Sequence, residues 1–214
     1  MSAASRAPLR SNRTSRVHGR VRGRAAVTAG AALAAALLLS ACSSGGTSGG
    51  GGNTGFITGA DGIATLKKSE RSDAPDLSGK TVDGKQLDVA EYKGKIVVLN
   101  VWGSWCSPCR AEAKNLEKVY QDTKDQGVQF VGINTRDTST GPAEAFEKEQ
   151  GITYPSLYDP TGKLMLRFDK GTLNPQAIPS TLIIDRDGKV AARTLQALSE
   201  EKLRKMLDPF LSEK

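Results

Sequence analysis

Residues Trp102 to Arg110 read WGSWCSPCR, which sets Cys106 and Cys109 three apart behind two tryptophans and the apolar run IVVLNVW. A pair so spaced can be a thiol–disulfide redox couple, half of a metal site or a structural staple. Only a thiolate attacks a disulfide, and a free thiol with a pKa near 8.5 is mostly protonated at neutral pH. The N-terminus of a helix offers unpaired N–H groups and roughly half a positive charge, which favour the thiolate. Cys106 falls where the apolar run ends and a helical pattern begins, with Pro108 near the first turn, where its missing N–H costs nothing. Cys109 follows on the same side of that turn. The spacing allows Cys106 to act as nucleophile and Cys109 as the buried resolving thiol. A structural zinc site needs about four ligands, usually two such pairs or added histidines. The one histidine is His18, and no second pair exists. A purely structural disulfide gains little from closing so short a loop. The redox reading is the strongest of the three. It fails if the fold buries Cys106 in an apolar interior or holds the sulfurs too far apart to bond.

The elements that must position the pair follow from periodicity. Lys95 to Trp102 reads as a strand buried on both faces, and Ser107 to Gln126 as a helix closed by Gly127. Val128 to Asn134 is a second buried strand and Pro142 to Gln150 a second helix closed by Gly151. Tyr154 to Tyr158 is a short strand and Lys163 to Phe168 a helical turn. Ser180 to Asp185 and Lys189 to Thr194 form a hairpin around Asp187-Gly188. An amphipathic helix from Ser199 to Leu211 closes the chain, with Ser199 as its N-cap. Before the first strand, Ala74 to Lys95 shows a hairpin signal at Asp83-Gly84 and a helical turn over Asp88 to Tyr92. Phe56 to Arg71 has no firm pattern. The order predicts an α/β fold: a central mixed sheet flanked by helices on both faces, preceded by a β-hairpin extension.

The net charge of +7 could indicate a nucleic-acid partner, but its distribution argues otherwise. Seven arginines precede residue 42 with no acidic residue among them, and the remainder carries 23 basic and 23 acidic residues. Residues 1–41 read as a secretory signal: arginines, then the 15 small and apolar residues Ala25 to Leu39, short for a span of roughly 20. Leu39-Ser40-Ala41-Cys42 resembles the bacterial lipoprotein box, which implies lipidation of Cys42. An ordinary signal peptide and a retained anchor are the alternatives. Ser43 to Gly55, SSGGTSGGGGNTG, has the composition of a tether that spans roughly 20 Å. The expected organisation is a signal over 1–41, a lipidated cysteine and tether over 42–73, and a globular domain over 74–214. With Cys42 modified, Cys106 and Cys109 remain as a pair in a compartment that permits disulfides.

VVLNVWGSWCSPCRAE, Val97 to Glu112, resembles the thioredoxin-like thiol–disulfide oxidoreductases, and within them the membrane-tethered ResA/TlpA type that serves cytochrome c maturation. The resemblance runs from about Ala74 to Leu211 and implies a thioredoxin-like fold. In that family a cis-proline packs against the active-site disulfide, and the residue before it offers backbone hydrogen bonds to a substrate chain. The matching positions are Pro179 and Ile178, in Ile178-Pro179-Ser180-Thr181. Asn100 stands where thioredoxin carries a buried aspartate, while Glu112 matches the glutamate that this branch uses as proton acceptor. The helical stripe Cys109, Glu112, Leu116 places that carboxyl inward, and burial should raise its pKa. Trp105 is expected to shield the nucleophile at the surface and contact substrate, Trp102 to lie in the core, and Gln176 and Ala177 to line the groove. The 43 residues Thr135 to Ala177 exceed what plain thioredoxin needs and hold an inserted strand–helix segment.

The resemblance implies a monomeric enzyme on the outer face of the cytoplasmic membrane, held by its lipid. It would work on protein thiols and disulfides, apocytochrome c among them, with a membrane electron donor, no cofactor and no metal. Reduction is the favoured direction and oxidation the runner-up. A thiol peroxidase is disfavoured because Gly103, not Thr or Ser, stands three before Cys106. A copper-delivery protein is disfavoured because no histidine remains after processing.

Overall fold

A computed structural model describes residues 54–213. The signal, Cys42 and the Gly/Ser run up to residue 53 lie outside the described residues. Among the described residues there are nine strands: β1 (Ile57–Thr58), β2 (Ala64–Thr65), β3 (Ser78–Lys80), β4 (Gln86–Asp88), β5 (Ile96–Trp102), β6 (Val128–Thr135), β7 (Ser156–Asp159), β8 (Ser180–Ile184) and β9 (Val190–Thr194). Three α-helices accompany them: α1 (Ser107–Thr123), α2 (Thr140–Gln150) and α3 (Glu200–Ser212).

Seven strands form one mixed sheet in the order β1-β2-β9-β8-β5-β6-β7. Strand β5 sits at its centre because every one of its seven residues is apolar or internally satisfied, and all are buried. It pairs parallel to β6 and antiparallel to β8, with Asn100 opposite Thr181 and Trp102 opposite Asn134. Its alternate side chains feed two cores, as the two-residue period of a strand requires. Val98 joins Phe130, Leu116, Val119, Leu203, Met206 and Phe210 beneath α1 and α3. Val97, Leu99 and Val101 join Leu77, Val89, Val131 and Phe168 on the other face. Burying each such side chain contributes roughly 1.5–3 kcal/mol, so both faces of β5 are strongly specified.

The expected mixed α/β sheet is present, but the two faces are covered differently. All three α-helices lie on the first face: α1 packs on α2 and α3, and Phe146 of α2 stacks on Trp102. The second face is covered by the β3–β4 hairpin and by two 3₁₀ turns, Val89–Tyr92 and Met165–Arg167. The hairpin is a separate two-stranded sheet tied to β7 by the Val82 N–H, which donates to the Ser156 carbonyl at 2.8 Å.

One boundary needs correction. The ordered domain does not begin at Ala74. Strands β1 and β2 extend the main sheet beyond β9, and Ile63, Ala64 and Leu66 are buried. Two-residue strands carry too little periodicity to be seen in sequence, and the edge of β9 recruits them through backbone pairing. Paired structure therefore begins at Ile57, inside the stretch 42–73 that the sequence assigned to the tether.

Candidate active site

The site forms where β5 ends and α1 begins. Cys106 is the N-cap of α1, with extended backbone (φ −87°, ψ 106°). Its Sγ accepts the Cys109 N–H at 3.2 Å, so the sulfur takes the capping place that a serine or aspartate oxygen usually fills. A disulfide joins Cys106 to Cys109, with the Cα atoms 5.3 Å apart. Pro108 occupies the first turn of α1.

Both cysteines are covered, Cys106 to 3% exposure and Cys109 to 2%. Cys106 lies in one buried cluster with Trp102, Cys109 and Phe146, against the expectation of a more accessible sulfur, so accessibility does not separate the two. Their surroundings do. Cys106 is flanked by exposed Trp105, Ser107 and Pro108, and its Sγ lies 3.8 Å from the Ile178 carbonyl oxygen. Cys109 faces inward, where it lines a small apolar cavity with Asn100, Trp102, Ala113 and Phe146.

The Ile178–Pro179 peptide is cis. Pro179 is buried and Ile178 is half-buried against the cluster that holds both cysteines. The preceding loop is self-braced: Asn174 accepts the Gln176 N–H on its side chain at 2.9 Å and the Ala177 N–H on its carbonyl at 2.8 Å. Gln176 is exposed and Ala177 half-buried at this edge.

Glu112 is 1% exposed, one turn below Cys109 on the inward stripe of α1. Its Oε1 accepts from Asn100 Nδ2 at 2.9 Å, and its Oε2 accepts from the Leu198 N–H at 2.8 Å. Asn100 also donates to Thr181 Oγ1 at 3.1 Å, which ties three elements to one carboxyl. Burial raises the Glu112 pKa to about 7, against the opposing pull of those two donors. Such a group exchanges protons at neutral pH.

The two tryptophans divide as their surroundings dictate. Trp102 is buried, stacks on Phe146 with ring centroids 4.6 Å apart, and donates its Nε1–H to Ser156 Oγ at 3.2 Å. Trp105 is 49% exposed and donates its Nε1–H to the Thr135 carbonyl at 3.1 Å. The site thus gathers Trp105, Cys106, Cys109, Glu112, Ile178 and Pro179 from α1 and two loops that lie far apart in sequence.

Sequence reasoning missed the loop after β6. Asp137 is buried and accepts from the Ser104 N–H at 2.9 Å, from the Ser104 hydroxyl, and from Asn134 Nδ2 at 2.7 Å. It anchors the segment two residues before Cys106. Arg136, beside it, holds a left-handed backbone (φ 60°). That conformation costs a side-chain-bearing residue roughly 1–2 kcal/mol. The polar run Asn134-Thr135-Arg136-Asp137 after a buried parallel strand was the available signal, since ligand sites in such sheets gather at the carboxyl ends of strands.

The profile of the AhpC/TSA family matches residues 71–193. The chain belongs to that family. Within it, the chain is similar to thiol-disulfide oxidoreductase ResA of Bacillus subtilis (strain 168), 32% identical over 132 residues that cover 62% of this chain and 70% of the relative. A DsbF homologue from Corynebacterium diphtheriae has a similar structure, with a TM-score of 0.65 and 36% identity over 71% of this chain and 94% of that one. A secreted disulfide oxidoreductase of Mycobacterium tuberculosis, described as homologous to E. coli DsbE, gives 0.54 and 27% over 62% and 95%. This AhpC/TSA-family chain is therefore a thiol–disulfide oxidoreductase of thioredoxin-like fold.

Proposed function

We propose that the protein is an exported, lipid-anchored oxidoreductase that reduces disulfides in other exported proteins, apocytochrome c among them. One observation carries the assignment of roles. Cys106 Sγ caps α1 by accepting the Cys109 N–H and lies against the Ile178 carbonyl, whereas Cys109 lines the inner cavity. In the reduced enzyme the Cys106 thiolate attacks one sulfur of a substrate disulfide. A mixed disulfide forms, the substrate's S–S bond breaks, and the released thiolate takes a proton. Cys109 then gives its proton to Glu112 and attacks Cys106 Sγ, which frees the second substrate sulfur as a thiol. Two electrons pass from the enzyme dithiol to the substrate, and the enzyme is left with the Cys106–Cys109 disulfide. A membrane-bound donor of two electrons restores the dithiol.

The backbone N–H and carbonyl of Ile178, with Trp105 opposite, would hold the substrate chain beside the sulfurs. The secretory composition of residues 1–41 and the cysteine at position 42 support export and anchoring, and the secreted relative from Mycobacterium tuberculosis is consistent with export. The tether then runs from Cys42 to just before Ile57. Gly103 stands three before Cys106, where a thiol peroxidase pattern would carry Thr or Ser, so disulfide exchange is favoured over peroxide chemistry.

Equilibration with glutathione or dithiothreitol tests the direction. A strongly negative potential fits a reductase, and each 30 mV corresponds to about 1.4 kcal/mol. A potential like that of a strong oxidant would make the enzyme an oxidase running the same steps backwards. Roles are tested by substitution: Cys109→Ser should trap mixed disulfides and Cys106→Ser should trap none. Failure to trap any partner with Cys109→Ser contradicts the assignment. Cys42→Ala should release the protein into the medium, and retention at the membrane overturns the anchor.

A further inference from the structure

We propose that Arg136 is a substrate-positioning residue that selects protein disulfides whose reacting cysteine has an acidic neighbour. The inference rests on the oxidoreductase reading above and extends it to substrate class. Among the described residues Arg136 is the one non-glycine with a left-handed backbone, and that conformation is imposed from both sides. The Thr135 carbonyl before it accepts the Trp105 indole N–H, and buried Asp137 after it holds the Ser104 backbone and hydroxyl. The arginine side chain then spans the two walls beside the disulfide. Its guanidinium lies 5.6 Å from the centroid of the Trp105 ring, and its Nη2 donates to the Pro175 carbonyl. Trp105 adjoins Cys106, and Pro175 begins the loop that leads to Ile178, whose carbonyl lies 3.8 Å from Cys106 Sγ.

A guanidinium carries five N–H donors in a planar fork that matches a carboxylate. One donor of Arg136 goes to Pro175, and none of the ion pairs among the described residues includes it. Arg110, the exposed arginine on α1, differs: Glu149 pairs with it at 2.8 Å. Arg136 is exposed, so its charge faces whatever chain enters beside Trp105. The chemistry that answers an exposed, uncompensated fork is an aspartate or glutamate side chain.

The test follows a single turnover of the purified full chain, fully reduced and in excess over each of three peptide disulfides of equal length, so that the enzyme dithiol supplies both electrons. Their reacting cysteine is flanked by aspartates, asparagines or lysines. We expect kcat/KM to fall in that order, with about fivefold between the aspartate and asparagine probes, the upper range for an exposed ion pair. The difference should lie in KM, and it should collapse at 0.5 M salt because exposed charges are screened there, with a Debye length of about 3–10 Å between 1 and 0.1 M. In Arg136→Gln and Arg136→Gly the aspartate-to-asparagine ratio should fall to about one. Glycine tolerates the left-handed backbone, so Arg136→Gly should melt no lower than the parent, which separates loss of selection from loss of folding. Arg136→Lys should keep part of the ratio. Equal rates with all three probes in the parent, or a ranking that survives in Arg136→Gly, overturn the inference and leave the oxidoreductase reading standing. A parent that reduces none of the probes overturns both.

Discussion

The Leu198 N–H donates to Glu112 Oε2 at 2.8 Å, so the approach to the last helix grips a carboxyl of the active-site helix from 86 residues away. Asn100 of the central strand holds the other oxygen at 2.9 Å. Two donors converge on a group whose burial opposes its charge. That balance leaves the pKa at about 7, which suits Glu112 to the proposed role of proton acceptor and makes it a source of pH-dependent stability.

The first prediction concerns that balance. Because the folded pKa is raised above the ordinary 4.5, the native state keeps a proton between about pH 4.5 and 7 that the unfolded chain has lost. Stability therefore falls as pH rises through that window, by a few kcal/mol at most, and is level above it. Glu112→Gln removes this contribution. It also leaves one of the two donors without an acceptor, at a cost of about 1–3 kcal/mol. Urea unfolding measured from pH 4.5 to 8 should show a smaller slope in the variant. The rate of mixed-disulfide resolution should lose its inflection near pH 7. An identical pH–rate profile would refute the proton role.

Glu147 provides the control. It is half-buried on α2, its Oε1 is buried with no hydrogen-bond partner, and burial raises its pKa to about 7 as well. The Ser156 hydroxyl opposes the shift, while the charges of Asp83 and Glu144 add to it. Glu147→Gln should stabilise the protein above pH 7 by about 1 kcal/mol, since it removes a carboxylate whose ionisation the fold resists. It should leave the inflection in the exchange rate in place. If Glu147→Gln removes that inflection instead, the acceptor has been assigned to the wrong carboxyl.

Gly103 sets the position of Trp105. A Cβ at Gly103 would stand 2.4 Å from the Trp105 Nε1 and 3.0 Å from the Thr135 carbonyl oxygen. The carbonyl belongs to a buried strand and cannot retreat, so the indole must move and lose its bond to Thr135. Gly103→Ala should cost about 1–3 kcal/mol, as overpacking does. Trp105 fluorescence should shift toward that of a solvated indole, and KM for peptide disulfides should rise. An unchanged emission spectrum with normal KM would show that Trp105 needs no such support.

How far the sequence revealed this site depends on how local each part is. The pair, its helix and the buried strand before it were legible because capping, spacing and continuous apolarity act within ten residues. Glu112 was placed inward by helical period alone. Its two partners were not visible, since Leu198 acts through a backbone N–H that any residue could supply. Asp137 and Arg136 were missed for a related reason: their importance lies in contacts with Ser104, Trp105 and Pro175, which only the closed sheet brings near. Strands β1 and β2 escaped because two residues make no period, and their pairing is decided by the free edge of β9.

Asp137 offers the last prediction, and it separates support from chemistry. Its carboxyl takes three donors: the Ser104 N–H, the Ser104 hydroxyl and Asn134 Nδ2. Asp137→Ala leaves the backbone N–H and the Asn134 amide unpaired inside the protein, and each orphaned donor costs about 1–3 kcal/mol. Asp137→Asn keeps one acceptor oxygen and should cost about half as much. Because Ser104 lies two residues before Cys106, loosening it lets the N-cap sulfur wander from the Cys109 N–H at the start of α1, a donor that favours a thiolate. The reduced Asp137→Ala variant should therefore react more slowly with a disulfide below pH 7, where thiolate is scarce, and approach the parent rate above pH 9, where any thiol is ionised. Hydrogen exchange at the Ser104 amide should rise in parallel. A rate deficit that is equal at pH 6 and pH 9 would mean that Asp137 shapes access to the sulfur rather than its charge.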